Sequence, residues 1–172
     1  MAFLAMRWLL FGLSAVVLAQ VARADPMPLP LPEGPVILTV TGAIAQANGP
    51  DGAQFDLAML EALGPVEIET TTIWTDGPQT FRGVPLARLV EVLGAEGEVI
   101  AATALNEYTV EIPLEDAVAG GPILAFARNG APLSVRDKGP LWVIYPYDSH
   151  RDFQSEVIYA RSIWQVKQME IR

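Results

Sequence analysis

The chain contains no cysteine among its 172 residues. This absence excludes disulfide bonds, thiolate metal ligands and a cysteine nucleophile together, because each of them needs that sulfur. Histidine is nearly absent too, since His150 is the only one, and a paired-histidine zinc motif is therefore excluded. His150 lies in one short segment with Asp148, Ser149 and Asp152, but such neighbours cannot form a catalytic triad, whose members come from separate elements. We interpret His150 as a solvated loop residue.

Basic residues are also scarce, with 11 Lys and Arg against 20 Asp and Glu, a formal net charge of −9. This charge repels a polyanion, so nucleic acid is not expected as a partner. Residues 25–127 carry two bases, whereas residues 128–172 carry seven. We favour an acidic, solvated surface with an ordinary basic tail, because clustering in sequence is weak evidence for clustering in space. The alternative is convergence on an anionic ligand by a set of late bases, Arg128, Arg136, Lys138, Arg151 and Arg161.

A long apolar run occurs only near the N-terminus, at residues 8–21, and the small residues Ala22 and Ala24 follow it. This pattern is typical of a signal peptide cleaved before Asp25. A retained membrane anchor is the alternative, but a span needs about 20 apolar residues and this run is shorter. We therefore predict that residues 1–24 are removed and that the mature chain, with a net charge of −11, works in the periplasm.

The remaining 148 residues have the length of one domain, and we find no repeat or linker. Alternating and β-branched patterns predict strands at 36–40, 66–74, 99–105, 108–112, 123–128, 131–135, 141–145 and 163–171. Helical spacing predicts helices at 55–63 and 86–93, and a helical turn at 113–117. Asn129-Gly130 predicts a tight hairpin. The expected fold class is a mixed α/β (α+β) domain dominated by strands.

Three stretches carry a family resemblance when they are taken together. The first is Trp74 followed by Phe-Arg-Gly-Val-Pro-Leu at 81–86, and the second is Asn-Gly-Ala-Pro-Leu at 129–133 with Lys-Gly-Pro-Leu at 138–141. The third is Arg-Ser-Ile-Trp at 161–164, leading to Met-Glu-Ile at 169–171. In this order they resemble the oxidoreductase molybdopterin-binding domain of the sulfite oxidase family. The resemblance implies that family's fold over nearly all of the mature chain.

The chain departs from the family at the residue that ligates molybdenum. The family uses a cysteine near the end of the strand before the Gly-x-Pro-Leu helix, and here that position falls within Thr70, Thr71 and Thr72. A hydroxyl of high pKa does not replace a soft thiolate as a metal ligand. We favour β-propensity on a strand as the reason for the three threonines. The alternative is a hydroxyl-lined pocket floor at the former metal position.

Two cations that the family often carries are also missing. Trp142 stands where an arginine can meet the cofactor's phosphate, and Trp164-Gln165 stands where the family has a Lys-Trp pair. A phosphate-bearing pterin would meet fewer charge-assisted hydrogen bonds here. Family members that carry the cofactor are exported folded by the twin-arginine route, whereas this leader has Arg7 and no arginine pair. We expect the general secretory route, which carries unfolded chains without a bound cofactor.

These observations favour a non-catalytic binding, accessory or sensory module on the family's scaffold, with no cofactor expected. Its partner is expected to be a small anionic ligand or a periplasmic or membrane protein. The alternative is a genuine periplasmic oxidoreductase that holds the molybdenum cofactor (molybdopterin) without a cysteine ligand. No catalytic residue or metal ligand is assigned. Matching positions to the family predicts a pocket lined by Thr70, Thr71, Thr72, Trp74, Arg82, Arg136, Lys138 and Trp142.

Overall fold

The computed structural model describes residues 28–172. The predicted signal peptide and its cleavage site before Asp25 lie outside the described residues. The strands are Leu38–Gly42 (β1), Ala53–Phe55 (β2), Val66–Thr70 (β3), Gln79–Pro85 (β4), Val99–Ala104 (β5), Thr109–Pro113 (β6), Ile123–Arg128 (β7), Ala131–Pro132 (β8), Trp142–Ile144 (β9) and Val166–Ile171 (β10). The α-helices are Leu57–Ala62 (α1), Leu86–Leu93 (α2) and Glu156–Arg161 (α3), and short 3₁₀ turns occupy Leu114–Asp116, Val135–Asp137 and Arg151–Phe153. No helix within residues 28–172 is both long and apolar enough to cross a membrane.

The strands form two sheets around one apolar core. The first sheet has the order β2-β1-β10-β5-β6, and its β1 and β10 pair in parallel although they lie near opposite ends of the described chain. The second sheet has the order β3-β4-β7-β8, and β9 also pairs with β7. The core is contributed by both sheets and includes Val40, Phe81, Leu124 and Met169. The strand-dominated mixed α/β class expected from the sequence is confirmed.

The Gly-Val-Pro-Leu motif has a structural role at the junction of β4 and α2. Gly83 lies at a register shift between β4 and β7, where a Cβ atom would come within 2.3 Å of the Leu124 carbonyl oxygen. Only glycine allows the two backbones to approach this closely. The following helix is the one predicted: α2 buries Leu86, Leu89 and Leu93. Gly94 ends it in the left-handed conformation.

The second motif glycine serves the same purpose. Gly139 follows the turn that includes Lys138, and a Cβ atom at Gly139 would lie 2.1 Å from the Leu133 carbonyl oxygen. The hairpin predicted at Asn129-Gly130 is present between β7 and β8, with positive φ at both turn residues. The hairpin's second arm is short, because β8 has only two residues and the chain then turns into the next segment.

Three sequence predictions about elements need correction. The strand predicted at 66–74 ends at Thr70, so Thr71 and Thr72 lie beyond it and β-propensity does not account for them. The helix predicted at 55–63 begins at Leu57, because Phe55 belongs to β2 and Asp56 caps the helix. The sequence analysis missed β2, β4 and α3 altogether. The last strand, predicted at 163–171, begins only at Val166.

Candidate functional site

Five rings from separate elements meet near the C-terminal end of β3. We call Trp74, Trp142, Tyr147, Tyr159 and Trp164 the aromatic cluster. The ring centroid of Trp74 lies 5.8 Å from that of Trp142, 6.4 Å from Tyr147, 5.9 Å from Tyr159 and 5.7 Å from Trp164. These contacts are edge-to-face, an arrangement that aromatic quadrupoles favour. Trp74 is therefore the ring that joins the turn after β3 to β9 and to the α3–β10 connection.

The cluster is buried at its base and exposed at its rim. Trp142 is fully buried, and its indole N–H donates to the Ser162 carbonyl at 3.2 Å. The Tyr147 hydroxyl donates to the Ser162 hydroxyl at 2.6 Å, and burial raises the pKa of Tyr147 to about 12. Trp164 is 37% exposed and is bridged to Trp142 through the backbone. The rim is thus the part of the cluster that a ligand can reach.

Lys138 lies over the cluster as a cation. Its Nζ is 4.2 Å from the ring centroid of Trp164 and 5.6 Å from that of Trp142, within the range of cation–π attraction. The backbone of Lys138 has a φ of 71° and ends the 3₁₀ turn Val135–Asp137. Gln165 holds this turn, because its backbone N–H donates to the Lys138 carbonyl and its side chain donates to the Val135 carbonyl.

Asp148, which follows β9 in the chain, binds Thr70 and Thr71 at the end of β3. Its carboxylate accepts from the Thr71 backbone N–H at 2.6 Å and from the Thr71 hydroxyl at 2.7 Å. Its own backbone N–H donates to the Thr70 hydroxyl oxygen at 3.1 Å. The Thr71 hydroxyl and backbone N–H hold the pKa of Asp148 below its usual range, with a smaller contribution from Thr70. This contact explains why β3 ends at Thr70: the Thr71 N–H is bound to Asp148.

The third threonine shapes the following turn. The Thr72 hydroxyl oxygen accepts from the Trp74 backbone N–H at 3.1 Å and lies 2.8 Å from the Thr75 hydroxyl. Such a contact holds a tight turn, because the side chain replaces a backbone acceptor. The turn in turn orients the Trp74 ring into the cluster. The hydroxyls of the three threonines are therefore all engaged within the protein.

Arg82 and Arg136 lie apart from the cluster. Arg82 on β4 contacts Glu61 of α1 at 3.1 Å and lies 5.2 Å from the Phe126 ring centroid, while its neighbour Phe81 packs on Trp142 at 5.5 Å. Successive strand residues face opposite sides of a sheet, so Arg82 is on the face away from the cluster. Arg136 is exposed in the 3₁₀ turn before Lys138. The structure thus brings together Trp74, Trp142 and Lys138, with the three threonines beside them.

Sequence reasoning missed four residues of this region: Tyr147, Asp148, Tyr159 and Trp164. Asp148 was considered only beside His150, and nothing in the sequence indicated its partner Thr71, 77 positions away. Tyr159 lies on the helix α3, which was not predicted. Trp164 was noted as part of the third family-like stretch and as the replacement of a lysine, and it is the only one of the four that lies in such a stretch.

Two cavities differ in size and position. A cleft of about 200 Å³ opens beside the aromatic cluster and is lined by Trp74, Asn106, Tyr108, Tyr159, Ser162 and Trp164 among others. We call it the aromatic cleft. A larger cavity of about 660 Å³, the N-terminal groove, lies between residues 28–33, α1 and α2. The N-terminal groove contains none of the pocket residues predicted from the sequence, so we place the candidate site at the aromatic cleft.

Comparison with known proteins agrees with this fold. The family model of the oxidoreductase molybdopterin binding domain matches residues 64–148, which include β3, the Gly-Val-Pro-Leu motif and Asp148. The resemblance predicted from the sequence is therefore confirmed. No curated protein matches the chain.

Among solved structures, the chain is similar to the sulfane dehydrogenase SoxCD from Paracoccus pantotrophus. The TM-score is 0.58 at 18% sequence identity, and the match covers 78% of this chain and 37% of that one. The chain thus spans little more than a third of the length of the chain that it matches, and the likeness concerns the fold.

Thr70, Thr71 and Thr72, which the sequence analysis matched to the family's metal position, do not fit the family's attachment of molybdenum. They carry hydroxyls in place of a thiolate, and these hydroxyls are bound to Asp148, Thr75 and the backbone. Within residues 28–172, no group of three or more His, Cys, Asp or Glu side chains is placed to hold a metal ion. In the same residues every buried side-chain nitrogen or oxygen already has a hydrogen-bond partner.

Proposed function

We propose that the mature chain is an exported, non-catalytic binding module built on the molybdopterin-binding-domain scaffold. The observation that carries the proposal is the Asp148 contact with Thr70 and Thr71 at the family's ligand position. A metal ion on the Thr71 oxygen would compete with the hydrogen bond that this hydroxyl donates to the Asp148 carboxylate at 2.7 Å. On this proposal, the threonines at the scaffold's metal position have a structural role, because they connect the end of β3 to Asp148.

The surface around Trp164 is the ligand site of this proposal. Rigid rings from separate elements line the aromatic cleft, which includes the exposed side chains of Trp164 and Tyr108. Aromatic side chains bind ligands with little loss of conformational entropy, because they rotate about only two bonds. Export to the periplasm rests on the N-terminal sequence pattern of residues 1–24.

The decisive experiment is the metal content of the protein purified from its own periplasm. We expect molybdenum far below one atom per chain and no pterin fluorescence after denaturation. A cysteine-containing family member expressed in the same cells provides the positive control. Near-stoichiometric molybdenum with a released pterin would overturn the proposal and favour the oxidoreductase without a cysteine ligand.

A second measurement tests export by itself. The intact mass of the secreted protein is expected to correspond to residues 25–172, with Asp25 at the N-terminus. A mass that retains residues 1–24 would indicate an anchored protein instead. The ligand proposal does not depend on this result, because the aromatic cleft is formed by residues 74–164.

A further inference from the structure

The rings that line the aromatic cleft contact one another at steep angles. The plane of Trp74 is inclined by 87° to Tyr159 and by 71° to Trp164, with centroid distances of 5.9 Å and 5.7 Å. Rings at such steep angles leave no flat slot between them, so a planar heterocycle would not stack on two walls at once. Tyr108, which is 58% exposed, adds a further ring at the opening. A cleft of about 200 Å³ suits a compact group.

The charges of the cleft favour a cation. Aromatic faces carry the negative part of the ring quadrupole, and the lining contains no Lys, Arg, Asp or Glu side chain. The chain as a whole carries a net charge of −9, which attracts cations at long range. Lys138 already approaches Trp164 as a cation, although it is not part of the lining. An anion inside the cleft would meet ring faces without a compensating base.

Two polar side chains of the cleft are engaged within the protein. The Ser162 hydroxyl donates to the Ile158 carbonyl and accepts from the Tyr147 hydroxyl, so it has no proton left to donate to a ligand. The Asn106 side-chain oxygen accepts from the Tyr108 backbone N–H. A fully methylated ammonium group needs no hydrogen-bond partner, since it has no N–H to satisfy, and it is attracted to ring faces.

We propose that the aromatic cleft binds a quaternary ammonium group, such as the trimethylammonium end of choline. The proposal rests on the proposed function and names the ligand class of that site. Trp74, Tyr159 and Trp164 supply the ring faces, and Tyr108 closes the opening. Lys138 acts as a built-in competitor, because it places a positive charge on Trp164 from outside the cleft.

Calorimetric titration of the purified periplasmic protein with choline tests the proposal. The matched control is 3,3-dimethylbutan-1-ol, which has the same shape without the charge. We expect choline to bind roughly fivefold or more tightly than the neutral alcohol, as a cation–π contribution predicts. Equal affinity for the two compounds, or binding of neither, would overturn the proposal.

Variants assign the binding to the cleft. Trp164→Ala is expected to weaken choline binding roughly tenfold and Trp164→Phe less, because phenylalanine keeps a ring face. Tyr108→Ala is a second variant in the cleft, and it leaves the core intact because Tyr108 is exposed. Leu31→Ala in the N-terminal groove is the control and is expected to leave the affinity unchanged. Choline binding that survives both Trp164→Ala and Tyr108→Ala would place the site elsewhere.

Lys138→Met separates the cation from the small anion expected from the clustered bases. If a quaternary ammonium is the ligand, removing the nearby charge should strengthen choline binding by about threefold. If the ligand is an anion, the same variant should weaken sulfate binding, and choline should show no binding. That result would overturn the proposal. Phosphatidylcholine vesicles distinguish a lipid headgroup from a free solute, with phosphatidylglycerol vesicles as the control.

The outcomes keep this proposal apart from the proposed function. A protein free of molybdenum that does not bind choline would refute the ammonium site and leave the binding module in place. A protein loaded with molybdenum would refute the binding module whatever its affinity for choline.

Discussion

The aromatic cleft and the N-terminal groove show that cavity size and site definition are separate properties. The groove has about 660 Å³ and is lined by flexible aliphatic side chains such as Leu29, Leu31 and Met59. The cleft has about 200 Å³ and is lined by rings that contact one another. Rings locked by their neighbours lose little entropy on binding, whereas aliphatic chains must still be ordered. The smaller cavity is therefore the better-defined recognition site.

One aspartate lines the N-terminal groove, another directly follows Tyr147 of the aromatic cluster, and each accepts hydrogen bonds from the backbone. Asp56, which is 3% exposed, accepts from Met59 at the start of α1 and from Glu33 and Gly34 in the lead-in segment. Asp148 is exposed and binds Thr71 and Thr70. Hydrogen bonds from Met59, Gly34 and Glu33 lower the pKa of Asp56, despite the opposing effect of burial. The two aspartates make similar hydrogen bonds, but Asp56 is buried whereas Asp148 is exposed to water.

The largest expected effect concerns the base of the aromatic cluster. Trp142→Ala removes a fully buried ring in contact with Phe81, Trp74 and Trp164, and it should lower the free energy of unfolding by about 3–5 kcal/mol. Trp164→Ala at the rim should cost only about 1 kcal/mol, because part of that ring is already exposed. Urea unfolding measures both. Equal losses of unfolding free energy in the two variants would contradict the burial of Trp142 at the base of the cluster.

The next effect compares the two aspartates. Asp56→Ala removes the cap of α1 and leaves three part-buried N–H groups without an acceptor, so we expect a loss of about 2–3 kcal/mol in unfolding free energy. Asp148→Ala should cost less, about 1 kcal/mol, because water can reach the freed Thr71 N–H. The same urea titrations decide the order. A larger loss of unfolding free energy for Asp148→Ala would mean that the contact of Asp148 with Thr70 and Thr71 stabilises the fold more than the helix cap does.

A smaller effect is the dependence of stability on pH. The folded-state pKa values of Asp56 and Asp148 are both lowered, so their stabilisation is complete above the unfolded-state pKa, whose usual value is 3.8. It is lost as the pH falls through the lower, folded-state values. Asp148→Asn and Asp56→Asn should therefore flatten the acid side of the stability curve in thermal unfolding. An unchanged acid limb in both variants would contradict the lowered pKa values.

The smallest expected effect concerns the exposed Arg136. Arg136→Ala should change the free energy of unfolding by less than about 0.5 kcal/mol, since the side chain is exposed in a short turn. It should also leave choline binding nearly unchanged, in contrast to Lys138→Met. A loss of stability above about 1 kcal/mol would show that Arg136 makes a contact comparable to those in the cluster.

Much of the fold could be predicted because its signals are local. The helix α2 follows from its apolar spacing and Gly94, the hairpin from Asn129-Gly130, and the strands β5, β6 and β7 from their alternation or β-branched content. By contrast, β4 contains Arg82, Gly83 and Pro85 and so does not resemble a strand. It becomes one because β3 and β7 pair with it on both sides. Tertiary pairing overrides weak β-propensity in such a segment.

The sequence by itself determined that no thiolate is available, that the chain is acidic, and that its ordered motifs resemble one domain family. These properties depend only on residue identity and spacing. Tertiary structure alone decided that Thr71 leaves the strand to bind Asp148, that Arg82 faces away from the site, and that Trp164 joins Trp74 and Lys138. Each of these depends on partners between 21 and 90 positions apart, and the cost of closing such loops is repaid only when the whole core forms.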